Sequence, residues 1–532
     1  MSSYVLLPKD SNQALGIGQF AVDFLSGKLG PGPSASVLER TRWFHTDSVL
    51  CGISALALQT NAPSLLQHEA AEYADDKGAC CFGSKAKVKP EKAIVANSSA
   101  VREWDSNGTN FGYRPELGHT AGEFGHNDFY PVAIAACQQR GFDGKTALLA
   151  MVLLDEIRGR LAEVFSLKTY KIDHVVHGAI ASAATYGALM GATPEQIESA
   201  IGMFVAHSIP WRAIRAGKQL SDSKGASAAI STEAAILFMK RSMNGFVGPK
   251  DIFRNPEAIF RFFEPTTEGA MRWKEQGDSP FDLQFSHSGD DFAVMGMHFK
   301  LGLYEHQSAG ALQGLLNLVA ENEELTVDPS GAAINKIRIV AYEPAFGIIG
   351  NPMKKNPTTR QSADHSMAYI VSTLLRKALD YRAQSGSLPS GGGAHDELWK
   401  SLMLDPFDYK VAESAIYHPV TRSLMEKIEF VHGGAEYDAK YPEGIPTSIQ
   451  MELGGKTHDS GLIMFPAGHA RNTTANLGDI LSHKWNLLGS IAIQDRTQSA
   501  AAIQKLESIE SLSAAEMGSV YEFPIQQIEG YE

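Results

Sequence analysis

The sequence predicts a mainly α fold, in which a large all-helical domain is followed by a smaller α+β domain. Two observations lead to this prediction. Ala-rich segments with helical periodicity follow one another from residue 14 to residue 270, with Gly and Pro at their ends. After residue 285, helical segments alternate with a stretch whose apolar residues recur at every second position, as in a half-buried strand. We therefore expect domains at residues 1–285 and 286–475, followed by a C-terminal helical segment at 476–532.

The elements can be predicted in chain order. In the first half, helices are predicted at 146–165, 174–190, 194–207 and 226–243. In the second half, we predict a helix at 301–319, a strand at 334–342, and a helix that has Ser362 as its N-cap and carries Asp364, His365 and Tyr369 on its first turns. A hairpin is predicted in which 448–453 and 461–465 flank a turn at 454–460, and the tail from Leu477 is again helical.

Composition indicates a globular protein and disfavours several function classes. Apolar residues make up 44% of the chain, which is enough for sizeable cores. The net charge of −13 argues against nucleic acid as a partner, because phosphate binding needs a positive face. No apolar run is long enough to span a bilayer, and the N-terminus has no signal-peptide pattern. Motifs for phosphate loops, dinucleotide binding, nucleophilic serine and zinc proteolysis are absent from the sequence. We therefore expect no membrane partner and a cytoplasmic location.

Charged and aromatic side chains concentrate at residues 354–369, where a loop runs into a predicted helix. Helix N-termini favour anions, and Arg and Lys are the usual partners of carboxylates. In a chain with a net charge of −13, an acidic ligand must be met by a local cationic pocket. This pattern predicts a site for an acidic small molecule. The candidate cations are Arg212, Arg215, Lys218, Lys224, Lys354, Lys355 and Arg360.

Six short motifs, in this order along the chain, resemble the MmgE/PrpD family. They cover most of the chain, roughly residues 40 to 475, and their order is far more specific than any one of them alone. The motifs are VREWDSN at 101–107, GHND at 125–128, IDHVV at 172–176, the stretch around Lys224, YEHQ at 304–307 and DHSMAY at 364–369.

The resemblance implies both a fold and an activity. It implies that the smaller α+β domain covers the helical domain as a lid, that the C-terminal segment returns to the helical domain, and that the protein is a homodimer. The implied activity is that of a hydro-lyase that converts 2-methylcitrate to 2-methyl-cis-aconitate in propionate breakdown. Two alternatives stay open: a cis-aconitate decarboxylase that forms itaconate, and a non-catalytic relative that binds a tricarboxylate. Because the family has mitochondrial members, a mitochondrial location also stays open.

The cysteines favour acid/base chemistry without a metal or cofactor. An iron–sulfur cluster that dehydrates a hydroxy acid needs at least three thiolates at workable spacing. Cys51, Cys80, Cys81 and Cys137 contain no C-x-x-C pair, so we expect free buried thiols. An elimination then requires one group to take a proton from carbon and another to protonate the departing hydroxyl, and His suits either role near neutral pH.

The resemblance also selects the candidate site residues. The catalytic candidates are His174, His306, Asp105, Lys224 and His126. The substrate-binding candidates are Asn107, Arg215, Lys355, Arg360, Asp364, His365 and Tyr369. The chain departs from the family pattern around His126: the preceding stretch is long and contains His119, so that either histidine can be the family equivalent. Which residue is the base and which is the acid stays open.

Overall fold

A computed structural model describes residues 3–110, 112–215, 219–262 and 277–531. The described part is mainly α, which confirms the predicted class. Its helices are α1 (Gln13–Leu25), α2 (Ala35–Ala57), α3 (Asn61–Ala71), α4 (Pro90–Glu103), α5 (Pro131–Arg140), α6 (Gly144–Val164), α7 (Val175–Met190), α8 (Pro194–His207), α9 (Ser223–Met243), α10 (Ile259–Phe262), α11 (Ala309–Glu321), α12 (Arg360–Ala363), α13 (Met367–Ser385), α14 (Asp396–Ser401), α15 (Pro419–Glu426), α16 (Gly434–Asp438), α17 (Leu477–Ala492), α18 (Arg496–Glu507) and α19 (Ala514–Gly518).

The N-terminal part is a bundle built around α7. This helix is buried on nearly all sides and packs against α6, α8 and α9, which explains its uniformly apolar sequence. The ends of these helices are fixed locally: the Asp143 side chain caps α6, Thr193 and Gln196 form a capping box on α8, and Gly191 ends α7 with a φ of +86°. The four helices predicted in this region are confirmed to within a few residues. Residues 216–218 and 263–270 of the predicted helical stretch lie outside the described residues.

The first half is not all-helical, contrary to the prediction. The strands among the described residues are β1 (Tyr4–Leu7), β2 (Gly32–Pro33), β3 (Ala74–Cys80), β4 (Lys87–Val88), β5 (Leu283–Ser286), β6 (Ser288–Gly289), β7 (Ile334–Ala341), β8 (Ile428–His432), β9 (Thr447–Leu453) and β10 (Lys456–Asp459). β1 pairs with β5, β2 with β6 and β3 with β4. The first two pairings join segments far apart in the chain, so local periodicity gives no sign of them.

A four-stranded sheet with the order β10-β9-β7-β8 forms the centre of the second half. β7 runs parallel to β8 and antiparallel to β9. The predicted strand at 334–342 is confirmed, but the predicted hairpin is correct only in its first strand. The chain turns at once through Gly454 and Gly455, whose φ values are +58° and +83°, so that β10 rather than 461–465 becomes the partner strand.

The helix predicted at 301–319 begins only at Ala309. The backbone N–H groups of Leu303, Tyr304 and Glu305 donate to the carbonyls of Leu404, Asp105 and Asp364 instead of to a preceding turn. Gly302 has a φ of +132°, which interrupts any helix at this point. The irregular stretch before α11 is therefore held by hydrogen bonds to the backbone of Leu404, Asp105 and Asp364. Asp105 and Asp364 belong to the candidate site.

The C-terminal helix α17 packs against α2. The indole of Trp485 donates to Asp47 on α2, and the buried ammonium of Lys484 lies 2.9 Å from the same carboxylate. Among the described residues, no single helix is long and apolar enough to cross a membrane, and α2 with α3 meets that test only as a pair bent by 89°.

Candidate active site

A buried carboxylate, Asp105, lies where the two halves of the chain meet. One of its oxygens is 3.2 Å from Arg102 and accepts a hydrogen bond from the Lys300 ammonium, and the other is 3.1 Å from Nδ1 of His365 and 3.6 Å from Lys224. Burial alone would raise the pKa of Asp105, but the nearby positive charges, led by those of Arg102 and Lys300, hold it well below its usual value. Asp105 is therefore ionised and organises the groups around it.

Asp364 and His365 lie in the break between two helices. Thr359 caps α12 and Ser366 caps α13, so neither Asp364 nor His365 is on the first turn of a helix, and Ser362 is not the N-cap that the sequence predicted. In this break the Asp364 carboxylate accepts from Lys224 at 2.7 Å and lies 2.8 Å from Nδ1 of His365. Lys224 therefore has its charge paired inside the protein.

His126 and His174 form a hydrogen-bonded pair with fixed tautomers. Nη2 of Arg102 lies 3.3 Å from Nε2 of His126, and Nδ1 of His126 lies 3.3 Å from Nε2 of His174. An arginine can only donate, so Nε2 of His126 must accept and its Nδ1 must carry the proton that is donated to His174. Nδ1 of His174 then carries its own proton, 3.5 Å from the Asp173 carboxylate. Burial lowers the pKa of both histidines well below the usual value, so both rings are neutral.

These groups surround a cavity of about 40 Å³, called the central cavity below. Its polar walls come from both halves of the chain, and Phe124 and Ile348 supply the apolar part. The polar lining residues are Arg102, Asp105, His126, His174, Arg212, Arg215, Glu305, Lys354 and His365. Four cations and one firmly ionised carboxylate thus face a small space, which suits a ligand with several negative charges.

Two of the four lining cations make no hydrogen bond or ion pair with the described residues. Arg102 is engaged with Asp105, and Arg215 is bound to the Asp173 carboxylate, with Nε 2.5 Å from one of its oxygens. By contrast, Nη1 of Arg212 is buried and has no hydrogen-bond partner in the described part of the chain. Lys354 is half-buried, and its ammonium makes no hydrogen bond or ion pair with the described residues. A buried donor without a partner is costly, which applies to Arg212, and both groups are available to carboxylate oxygens of a ligand.

Glu305 is a lining residue that the sequence analysis did not select. Its Oε2 accepts from the backbone N–H of Gln307 at 2.8 Å, and its own N–H donates to the Asp364 carbonyl at 2.9 Å. Burial and the charge of Asp105 raise the pKa of Glu305 to about 7. A carboxyl group with such a pKa can hold or release a proton near neutral pH.

His306 does not line the central cavity. Its ring stacks on His298 with a centroid distance of 4.9 Å, and His298 stacks on His469 at 3.9 Å. Glu305 has extended backbone angles and His306 begins a 3₁₀ turn, so the two neighbouring side chains leave the chain on different sides. Within the motif Tyr304–Gln307, the structure brings Glu305 rather than His306 to the cavity.

Four further candidates are also placed away from the cavity. Asn107 donates to Asp128, and Tyr369 donates its phenolic proton to the Asp408 carbonyl. Arg360 pairs with Glu103 and lies over the ring of Trp104, while Lys355 is half-buried and is 3.9 Å from Glu426. In each case the polar group contacts a residue that does not line the central cavity. Lys218 lies outside the described residues.

The structure distinguishes between the two candidate histidines of the long stretch. His126 lines the central cavity, whereas Nδ1 of His119 lies 3.0 Å from Glu163 on α6. Glu163 belongs to a separate and larger cavity of about 240 Å³. The arginines of that cavity are Arg114, Arg160 and Arg471, and each of them pairs with a carboxylate of the protein. That cavity is therefore less suited to an acidic ligand than the central cavity is.

Asp105, Asp364 and His365 have ligand atoms within 4.8 Å of one another, a spacing that could hold a metal ion. Two ammonium groups, those of Lys224 and Lys300, already lie against these carboxylates and supply the positive charge. A metal ion would have to displace them. The four cysteines are unpaired and buried, as predicted, and burial raises the pKa of the Cys51 thiol to about 12.

Comparison with known proteins agrees with this architecture. The family model of the MmgE/PrpD N-terminal domain matches residues 24–270. The 2-methylcitrate dehydratase of Escherichia coli K12 is 22% identical over 435 residues, which cover 80% of each chain. The corresponding enzyme of Salmonella typhi is 23% identical over 76% of this chain and 83% of its own, and a probable 2-methylcitrate dehydratase of Saccharomyces cerevisiae is 22% identical over 82% and 79%. Residues 24–270 therefore match the MmgE/PrpD N-terminal domain, and most of the chain is similar to proteins named 2-methylcitrate dehydratase.

Proposed function

We propose that the protein is a hydro-lyase that removes water from 2-methylcitrate to give 2-methyl-cis-aconitate, by acid/base catalysis that needs no iron–sulfur cluster. The observation that carries the proposal is a pair of cations, Arg212 and Lys354, whose side chains have no partner among the described residues and which line one cavity together with proton-transferring groups. The curated relatives named above carry this activity in their names. A polycarboxylate would satisfy both cations and bring a carbon acid next to the imidazoles.

The two cations are also placed to stabilise the negative charge that develops in the transition state of the reaction. Removal of a proton from carbon beside a carboxylate places extra negative charge on that carboxylate in the transition state. Arg212 and Lys354 line the small central cavity and can stabilise this charge with direct hydrogen bonds. Burial lowers the pKa of Lys354 to about 8, so most of its population is charged at pH 7.

Substrate binding requires the central cavity to widen. A volume of about 40 Å³ holds roughly three water molecules, whereas a citrate-like acid is several times larger. The walls of the cavity come from both halves of the chain, so a small separation of the halves would enlarge it. We propose that the second half acts as a lid that closes on the bound acid.

The test is an ultraviolet assay of the purified protein, with chelator present, on 2-methylcitrate, citrate and cis-aconitate offered separately. The expected result is a rise in absorbance with 2-methylcitrate, because its product has a conjugated double bond. A fall in absorbance with cis-aconitate, accompanied by CO₂, would instead indicate a decarboxylase. No change with any of the three acids would contradict the proposed function.

Replacing Arg212 with Ala or Lys354 with Met should weaken substrate binding. Loss of one charge-assisted hydrogen bond costs about 1.5–3 kcal/mol, so kcat/KM should fall by roughly 10- to 150-fold, mainly through KM. Steady-state kinetics on 2-methylcitrate would measure this. Lys355→Met provides the matched comparison, since Lys355 is the next residue in the chain but is directed toward Glu426. Equal losses in the two lysine variants would contradict the placement of Lys354 in the site.

A further inference from the structure

The histidines that face the central cavity differ in whether they can accept a proton. Nδ1 of His365 lies 2.8 Å from Asp364 and 3.1 Å from Asp105, so two carboxylate oxygens hold the proton on Nδ1. Nε2 of His365 is then unprotonated, and it has no hydrogen-bond partner in the described ranges. Its lone pair is therefore available to a ligand in the cavity.

The other two imidazoles are not available in the same way. Nε2 of His126 accepts from Arg102, and Nε2 of His174 accepts from His126. Each remaining ring nitrogen carries a proton: Nδ1 of His126 donates to His174, and Nδ1 of His174 lies 3.5 Å from the Asp173 carboxylate without a hydrogen-bond partner among the described residues. These two residues can position a ligand or donate to it after a rearrangement, but neither offers a free base in the described arrangement.

Glu305 can supply the proton donor that the reaction needs in addition to a base. It lines the same cavity, and its N–H is hydrogen-bonded to the carbonyl of Asp364, the residue before His365. One carboxyl oxygen is held by the N–H of Gln307, which leaves the other toward the cavity. The free base and the carboxyl group are thus fixed on adjoining stretches of backbone, and a ligand between them can meet both.

We propose that His365 is the general base and Glu305 the general acid of the elimination, an assignment that rests on the proposed function. Nε2 of His365 takes the proton from the carbon next to a substrate carboxylate. The C–H electron pair forms the new C=C bond while the C–O bond breaks, and the protonated Glu305 carboxyl gives its proton to the departing hydroxyl, which leaves as water. His365 then returns its proton, through solvent, to Glu305. Asp105 and Asp364 favour the imidazolium between these steps, and they act against burial and the charge of Lys224, which lower the pKa of His365 to about 3.

The pH dependence follows from the acid role of Glu305. The active form has Glu305 protonated, and with a pKa of about 7 this form is lost as the pH rises through neutrality. We therefore expect kcat/KM to fall on the alkaline side with an apparent pKa near that value. In Glu305→Gln the remaining activity should be low and should lack this alkaline limb.

The experiment compares the full-length wild-type protein with His365→Ala, His365→Gln and Glu305→Gln over a range of pH. Each variant should lower kcat by about 10² to 10⁴, and added imidazole should restore part of the activity of His365→Ala. Glu123→Gln is the matched control, because Glu123 is also a buried carboxyl group with a raised pKa but is bound to backbone N–H groups outside the cavity. This control should keep the alkaline limb.

Circular dichroism establishes that each variant is folded before its rate is interpreted. If the wild type turns over 2-methylcitrate while folded His365→Ala and His365→Gln keep more than about a tenth of its kcat, His365 is not the base. Retention of the alkaline limb in Glu305→Gln would exclude Glu305 as the acid. An inactive wild type would instead defeat the proposed function, and this assignment would fall with it.

Discussion

Replacement of Asp105 by Ala is expected to destabilise the protein by about 3–5 kcal/mol and to abolish turnover. Asp105 is the carboxylate that pairs with the fully buried ammonium of Lys300. Arg102 retains Asp128 at 3.9 Å and Lys224 retains Asp364 after the change, but Lys300 is left as a buried charge without a carboxylate in contact. An uncompensated buried charge is the costly outcome, and it should appear as a lower unfolding temperature in differential scanning fluorimetry.

A double variant separates the two consequences of this change. Asp105→Ala combined with Lys300→Met removes both charges and replaces the ammonium with an apolar group of similar length. Replacing a buried ion pair by apolar residues is often close to neutral, so much of the lost stability should return. Activity should not return, because the carboxylate that orients His365 is still missing. Recovery of both properties would show that Asp105 has only a structural role.

Replacement of Lys484 by Ala is expected to cost a similar amount, about 3–5 kcal/mol, although this residue is far from the others in sequence. Its ammonium binds the Asp47 carboxylate at 2.9 Å, the Ser106 carbonyl at 2.7 Å and the Lys300 carbonyl at 2.9 Å. All four groups are buried, so the variant leaves a carboxylate and two carbonyls without their donor. We also expect a higher KM, because Ser106 follows Asp105 in the chain and Lys300 binds its carboxylate, and Asp105 lines the central cavity. Thermal unfolding and steady-state kinetics would measure the two effects.

Lys400 offers the matched control for Lys484. It also joins α17 to another helix, since its ammonium lies 2.6 Å from Asp479 and 2.8 Å from Glu397. These carboxylates are exposed, and exposed ion pairs contribute at most about 1 kcal/mol. Lys400→Ala should therefore leave the unfolding temperature nearly unchanged. A similar drop in unfolding temperature in Lys400→Ala and Lys484→Ala would contradict the larger contribution that we assign to the buried Lys484.

The parts of this molecule that could be predicted from sequence are those fixed by local interactions. The helices α6 to α9 have apolar periodicity and end at capping residues, and the structure confirms them. The ordered motifs also selected His126, His174, Lys224, Asp364 and His365, which the fold brings around Asp105. The long-range pairing of β1 with β5 leaves no local pattern, and so the first half was wrongly predicted to be entirely helical.

The choice among neighbouring residues could not be predicted, because it depends on backbone direction and on pairing. His306 has the side chain usual for proton transfer, but the extended conformation at Glu305 brings the carboxyl group to the cavity instead. Likewise, the candidate cations look alike in sequence. Arg215, Arg360 and Lys355 pair with Asp173, Glu103 and Glu426, whereas the side chains of Arg212 and Lys354 pair with none of the described residues. Such differences arise from tertiary contacts alone.

The contacts of Lys484 join the C-terminal part of the chain to segments that are synthesised much earlier. Asp47, Ser106 and Lys300 are translated long before residue 484, so the nascent chain carries their acceptors without the shared donor. Chains grow from the N-terminus and their early segments fold first. We expect the helical part to collapse while still on the ribosome, whereas Asp47, Ser106 and Lys300 receive their shared donor only once α17 has emerged. We expect a chain interrupted before this helix to form most of the other helices and to lack the donor that joins α2 to the backbone of Ser106 and Lys300, which gives quality control a point at which to distinguish unfinished molecules.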